Sequence, residues 1–213
     1  MKRCATATAV TILVIAAAAA ANEPLRWERL FSADGAPTVH ARVRYRDAAG
    51  KEHRLELWRT ARALRRDTDE KLSLVVERRA NGDDQYHVVH RAGGHAYDVS
   101  RDQLYRIGSF PEWTQLATLL TRPRGEVRVA ASARGATSSP AGACRWYEAS
   151  TPSARERVCW SARLKLPLVV EREHDGGWSP VIIVDEASAR PIVATTFTLT
   201  GDAVRIDVDH DLD

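Results

Sequence analysis

Val39-His40-Ala41-Arg42-Val43-Arg44-Tyr45-Arg46 alternates apolar and basic side chains without a break. Successive side chains on a strand point to opposite faces. The run therefore reads as a half-buried strand with Val39, Ala41, Val43 and Tyr45 on the covered side. Asp47-Ala48-Ala49-Gly50 follows as a turn, and Leu55 and Leu57 resume the alternation on a second strand. Ala63–Arg66, Leu72–Arg78 and Tyr86–Arg91 read as further strands. Asp67-Thr68-Asp69, Asn81-Gly82-Asp83-Asp84 and Gly93-Gly94 separate them, all residue types that favour turns. Short strands at this regular spacing predict an antiparallel meander in which each strand pairs with the one before it.

The pattern changes once. Ser100-Arg101-Asp102-Gln103 reads as a cap and a short helical turn. Pro111-Glu112 then opens a helix with Trp113, Leu116, Leu119 and Leu120 at three- and four-residue spacing, and Pro123 closes it. Thr114, Gln115, Thr118 and Thr121 take its polar side. A lone amphipathic helix among strands must lay its apolar face on the sheet, because nothing else is there to cover it. Ala131 to Ala143 is rich in Ala, Ser, Gly and Pro and lacks periodicity, so it reads as a flexible loop within one domain. Leu166–Val170, Val181–Val184, Ile192–Leu199 and the alternating Val204–Asp209 return the chain to strands.

The start of the chain speaks of location. Met1-Lys2-Arg3 is basic, Ala5 to Ala21 is small or apolar, and the Ala-rich run ends at Asn22. That is the layout of a secretory signal over residues 1–22, too weakly apolar to prefer spanning a bilayer, although an uncleaved anchor is the alternative. A single domain over residues 23–213 would follow, periplasmic or secreted and expected to be monomeric. Removing Lys2 and Arg3 leaves 29 basic residues against 28 acidic ones, from 31 and 28 in the whole chain. The charges are interspersed, so nucleic acid is not an expected partner. Beyond the signal, Cys144 and Cys159 are the remaining thiols, on two segments that read as paired strands. In an oxidising compartment they predict one disulfide that closes about 15 residues and stabilises by about 3 kcal/mol.

Motifs of chemistry are sparse. His87 and His90 point to opposite faces of a strand and His95 lies past a Gly-Gly turn, a poor metal set. The acidic end Asp207–Asp213 lacks the glycine and closing glutamate of a calcium loop. There is no Gly-x-Ser-x-Gly elbow, and the Asp pairs fall in turns, so no catalytic constellation and no cofactor is expected. Six tryptophans suit core filling, with Trp58 the exception because it falls on the face opposite Leu55 and Leu57.

Leu55-Glu56-Leu57-Trp58-Arg59 with Leu64-Arg65-Arg66-Asp67, then Tyr97-Asp98-Val99 and the helix from Pro111 to Thr121, carry a pattern-level resemblance over most of the chain. In this order of elements the chain resembles the bacterial periplasmic lipoprotein-carrier family, which includes the carrier, its outer-membrane receptor and the N-terminal domain of the periplasmic stress regulator. The resemblance implies a mainly β (α+β) fold, an antiparallel meander curled into an unclosed half-barrel with one main helix on its concave face. It also implies an apolar ligand, a lipid or lipoprotein acyl chain, held by Val43, Tyr45, Leu57, Leu74 and Val76 under Trp113, Leu116 and Leu120. The same face equally suits a filled core. The alternative function is a protein-interaction or envelope-sensing domain, with an envelope protein as partner.

Overall fold

The alternating segments form strands that pair in two separate runs. In the computed structural model, which describes residues 24–81, 84–100, 112–199 and 204–206, the first run holds six strands. These are β1 (Val39–Arg46), β2 (Glu52–Arg59), β3 (Ala63–Thr68), β4 (Leu72–Arg78), β5 (Asp84–His90) and β6 (His95–Ser100), an antiparallel meander. The second holds β7 (Arg128–Ser139), β8 (Gly142–Ser150), β9 (Arg155–Ser161), β10 (Leu166–His174) and β11 (Gly177–Ser188). β1 and β11 pair antiparallel and fuse the runs into one sheet. β12 (Val204–Ile206) adds to β6 in parallel, giving the order β12-β6-β5-β4-β3-β2-β1-β11-β10-β9-β8-β7. The end strands β7 and β12 do not pair, so the mainly antiparallel sheet is an unclosed half-barrel. Register shifts at Arg42/Val43 and at two places in β10 mark the bulges that bend its middle.

The chain must travel from the β6 edge of the sheet to the β7 edge at the other end. Part of that crossing is the helix α2 (Trp113–Thr118), with Trp113, Leu116, Ala117 and Thr118 buried. α2 ends three residues before Thr121. Leu119 turns left-handed at φ +61°, and the Thr118 hydroxyl donates to the Thr114 carbonyl (2.7 Å), consuming an acceptor of the last turn. A shorter helix, α1 (Trp27–Leu30), precedes β1. The turn at Ser100–Gln103 lies outside the described residues except for Ser100, which ends β6. The signal at 1–22 and the acidic end at 207–213 also lie outside them.

Two stretches depart from the sequence reading. Residues 131–143 are not a flexible loop: β7 runs to Ser139 and turns directly into β8. Its register slips between Ala131 and Ala136, where Gly135 takes φ +66°. β7 is an edge strand exposed along most of its length, so burial imposes no apolar alternation on it. Residues 192–199 are not a strand. They form a 3-10 turn at Ala194–Phe197, closed by the Thr196 amide donating to the Val193 carbonyl. This turn packs on the outer face of β3, where Arg65 donates to the Thr196 carbonyl at 2.9 Å.

Burial separates into three clusters. One joins Val39, Ala41, Val43, Leu55 and Leu57 to Cys144, Trp146, Cys159, Leu164, Leu166 and Leu168. A second sets Trp113, Leu116 and Ala117 on Leu64, Val76, Tyr86 and Val99. A third gathers Trp27, Phe31, Leu120, Val158, Trp160 and Val170. In β9, Val158, Cys159, Trp160 and Ser161 are buried in succession, so both faces of that strand are covered. Cys144 and Cys159 form the expected disulfide between neighbouring strands, with Cα atoms 5.3 Å apart.

Candidate functional site

Strand register lays the concave face of β1–β6 out in rows, because cross-strand partners share a face. The first row is Val39-Arg59-Leu64-Val76-Tyr86-Val99, and every member is buried. α2 covers it. The next row is Ala41-Leu57-Arg66-Leu74-Val88-Tyr97. Ala41 and Leu57 are buried, but from Arg66 to Tyr97 the row is only half-buried. The third row, Val43-Leu55-Thr68-Leu72-His90-His95, goes from buried to exposed. Burial thus declines in two directions, away from α2 and toward β6. Where it declines, the concave face is a trough of half-buried side chains running from Arg66 to Tyr97.

The eight residues expected to hold a ligand do not share one environment. Val43 and Leu57 lie in the first cluster, Val76, Trp113 and Leu116 in the second, and Leu120 in the third. All six are at most 8% exposed. Tyr45 and Leu74 are half-buried and pack against the edges of the first and second clusters. Val88, Tyr97 and Arg66 were missed. The signal for Arg66 was present, since it occupies an inward position of the β3 alternation between Leu64 and Thr68.

Two arginines point inward. Arg59 is 0% exposed and donates to three carbonyls: Ala117 at the end of α2, Leu164 (2.6 Å) and Lys165 (3.0 Å). It pins α2 and the β9–β10 turn to β2. Burial pulls its guanidinium down to about 10, and its Nε has no partner. Arg66 is also held below the ordinary arginine value by burial, with the Tyr45 phenol as an opposing influence. Tyr45 itself is raised, first by burial, while Arg66 and the Thr68 hydroxyl pull the other way. Arg66 makes no hydrogen bond or ion pair among the described residues. Its sequence neighbours Arg65 and Asp67 face outward and pair with each other at 2.8 Å.

The outer face is polar and compensated. A groove of about 730 Å³ there is lined by Arg42, Arg44, Arg54, Glu56, Asp67 and Asp185, among others. Arg44 makes a two-point contact with Asp185 (2.8 and 2.9 Å), and Arg42 lies 3.4 Å from Glu186. This opening is a salt-bridged surface groove, whereas the concave trough carries apolar side chains. Trp58 faces outward and is half-buried, stacked on His40 with ring centres 5.1 Å apart and Arg65 above it. Trp178 is likewise half-buried, under Arg157.

The titratable clusters serve architecture. His53 Nδ1 meets Asp69 at 2.6 Å and its Nε2 meets Asp47 at 3.1 Å, which raises the His53 pKa and lowers Asp47. Asp69 is lowered first by the Arg54 amide that donates to it and then by His53. With both ring nitrogens engaged by carboxylates, His53 has none left to relay a proton to a nucleophile. His87 pairs with Asp98 at 2.6 Å, and His90 faces His95 across the β5–β6 turn. Among the described residues no group of three or more His, Cys, Asp or Glu could hold a metal ion.

No family model matches the chain, and no curated protein matches it in sequence. In structure it is similar to an uncharacterized conserved protein from Thermus thermophilus, with a TM-score of 0.52 and 13% identity over 84% of this chain and 93% of that one. It is also similar to PNGF-II, at a TM-score of 0.44 and 8% identity over 81% of this chain but only 32% of that one. At such identity the first likeness shows a shared fold alone. The second carries no argument.

Proposed function

We propose that this chain is an exported, monomeric binding protein that holds an apolar ligand, a lipid or acyl chain, in the open part of its half-barrel, as the resemblance to periplasmic lipoprotein carriers implies. One observation carries the reading: concave-face residues Leu74, Val88 and Tyr97 remain half-buried beside a row packed to completion. Unclosed apolar concavities with a few polar groups are the usual form of a ligand site. Export rests on the N-terminal pattern and is supported by the disulfide, since such bonds persist in oxidising compartments. The test is to isolate the protein from its native envelope and identify co-purifying molecules by mass spectrometry. A stoichiometric apolar compound is expected; a ligand-free protein that also refuses added lipid would overturn the reading.

A second reading, partner binding, has its own observation. β1 with its arginines is central rather than an edge, whereas the edge strand β7 is twelve residues long with only Arg128 and Arg134 as charges. Sparse charge leaves an edge open to strand addition. The slip between Ala131 and Ala136 limits a straight ladder to its two ends.

A further inference from the structure

Arg66 is out of place for a carrier of purely apolar cargo. It sits at the centre of the second concave row, with Leu57 and Leu74 as cross-strand neighbours, where that row passes from buried to half-buried. A guanidinium carries five donors in a fixed fork and stays charged at any physiological pH. Placing one among apolar side chains without a carboxylate is unfavourable unless something else satisfies it. The rest of the chain shows what an arginine usually does here. Arg44, Arg65, Arg134 and Arg172 each reach a carboxylate at 2.9 Å or less, and Arg59 fills its environment with carbonyls. Arg66 does neither.

We propose that Arg66 anchors the head of an amphipathic anion, a single apolar chain ending in a carboxylate or phosphate. Tyr45 and Thr68 flank the head, while Leu74, Val88 and Tyr97 receive the chain. The inference rests on the trough being a ligand site and adds the charge class of the ligand. A planar fork matches carboxylate and phosphate oxygens with two parallel hydrogen bonds, and a half-open trough admits the head while sheltering the pair from water. The Tyr45 phenol and Thr68 hydroxyl can donate to a second oxygen of the same head. Tyr45 remains protonated at neutral pH, because its pKa is raised.

The experiment compares three ligands of equal chain length, dodecanoate, dodecyl phosphate and dodecanol, by competition against an apolar fluorophore, on the parent protein and on Arg66→Gln. Charge-assisted hydrogen bonds predict that the parent binds at least one of the two anions about 10- to 100-fold more tightly than the alcohol. Arg66→Gln should erase that preference while keeping its affinity for dodecanol. The ratio between dodecanoate and dodecyl phosphate then identifies the head. Equal affinity of the parent for all three, or a preference that survives in Arg66→Gln, overturns the anchor and leaves the apolar trough standing. No binding of any of the three by the parent overturns the trough and the anchor together. Thermal unfolding of both proteins shows whether Arg66→Gln is folded; if it is not, Arg66→Lys takes its place, and retention of charge without the fork should weaken the preference rather than erase it.

Discussion

The two halves of the sheet are built from similar strands and finished differently. In the β8–β10 half, β9 is buried on both faces, the disulfide ties it to β8, and Phe31 packs edge-on against Trp160 with ring centres 5.2 Å apart. In the β3–β6 half, the row beneath α2 is fully buried, Leu74 and Tyr97 pack on that cluster yet stay half-buried, and the third row ends in exposed His90 and His95. One half is a scaffold that gains from every contact; the other keeps apolar surface in reserve. Side chains with neighbours on every side lose contacts outright when truncated, whereas half-exposed ones lose mainly their partial burial. Arg59 stands at the seam, holding the end of α2 and the β9–β10 turn against β2.

The largest expected effect breaks or upholds that contrast directly. Trp160→Ala, in the doubly covered strand, should destabilise by about 3–5 kcal/mol. Leu74→Ala, half-buried in the trough, should lose about 1 kcal/mol, because only part of its surface is withdrawn from water. Denaturant unfolding of both variants measures the difference. Equal losses would mean that the trough is as tightly packed as the scaffold.

A smaller effect sharpens the open half through pH. His53 links the β1–β2 and β3–β4 hairpin ends through Asp47 and Asp69. Its pKa is raised in the folded protein, so its contribution is complete below the ordinary value of 6.5 and fades as pH rises through the raised value. The two aspartates are lowered from 3.8, so theirs is present above 3.8 and is lost as pH falls through the lowered values. Thermal stability should be greatest between these limits. In His53→Gln the decline that begins above pH 6.5 should flatten; an unchanged profile would mean that His53 contributes nothing to the pH dependence.

Much of the fold was legible because burial writes alternation into a strand. β1 and β4 fall on the very residues that the pattern marked, and the disulfide pair lies on the two strands that it named. β7 was illegible because an edge strand exposed on both faces needs no apolar period, and Ala, Ser and Gly then resemble a linker. The Ile192–Leu199 run carries β-branched residues, yet it lies on the outer face of β3 and closes its own turn, a tertiary choice that composition does not record. The pairing of β1 with β11 was equally hidden, since nothing local joins segments so distant in the chain. As for the site, the spacing separated inward from outward side chains but not packed from open ones. Val76 and Leu74 both lie in β4 at inward positions and both meet the cluster under α2, yet only Val76 is fully buried, a difference that the alternation does not record.

The most direct measurement is the binding of an apolar fluorophore to the parent protein and to Leu74→Arg, with thermal unfolding of both. A charge placed at Leu74, beside Arg66, should abolish dye binding through lost apolar contact. Repulsion between the two guanidinium groups and the lost Leu74 packing should lower the unfolding temperature moderately without unfolding the protein at the assay temperature. That pair of results would support the trough as the site. Dye binding that persists undiminished in Leu74→Arg, or a parent protein that binds no dye, would contradict it.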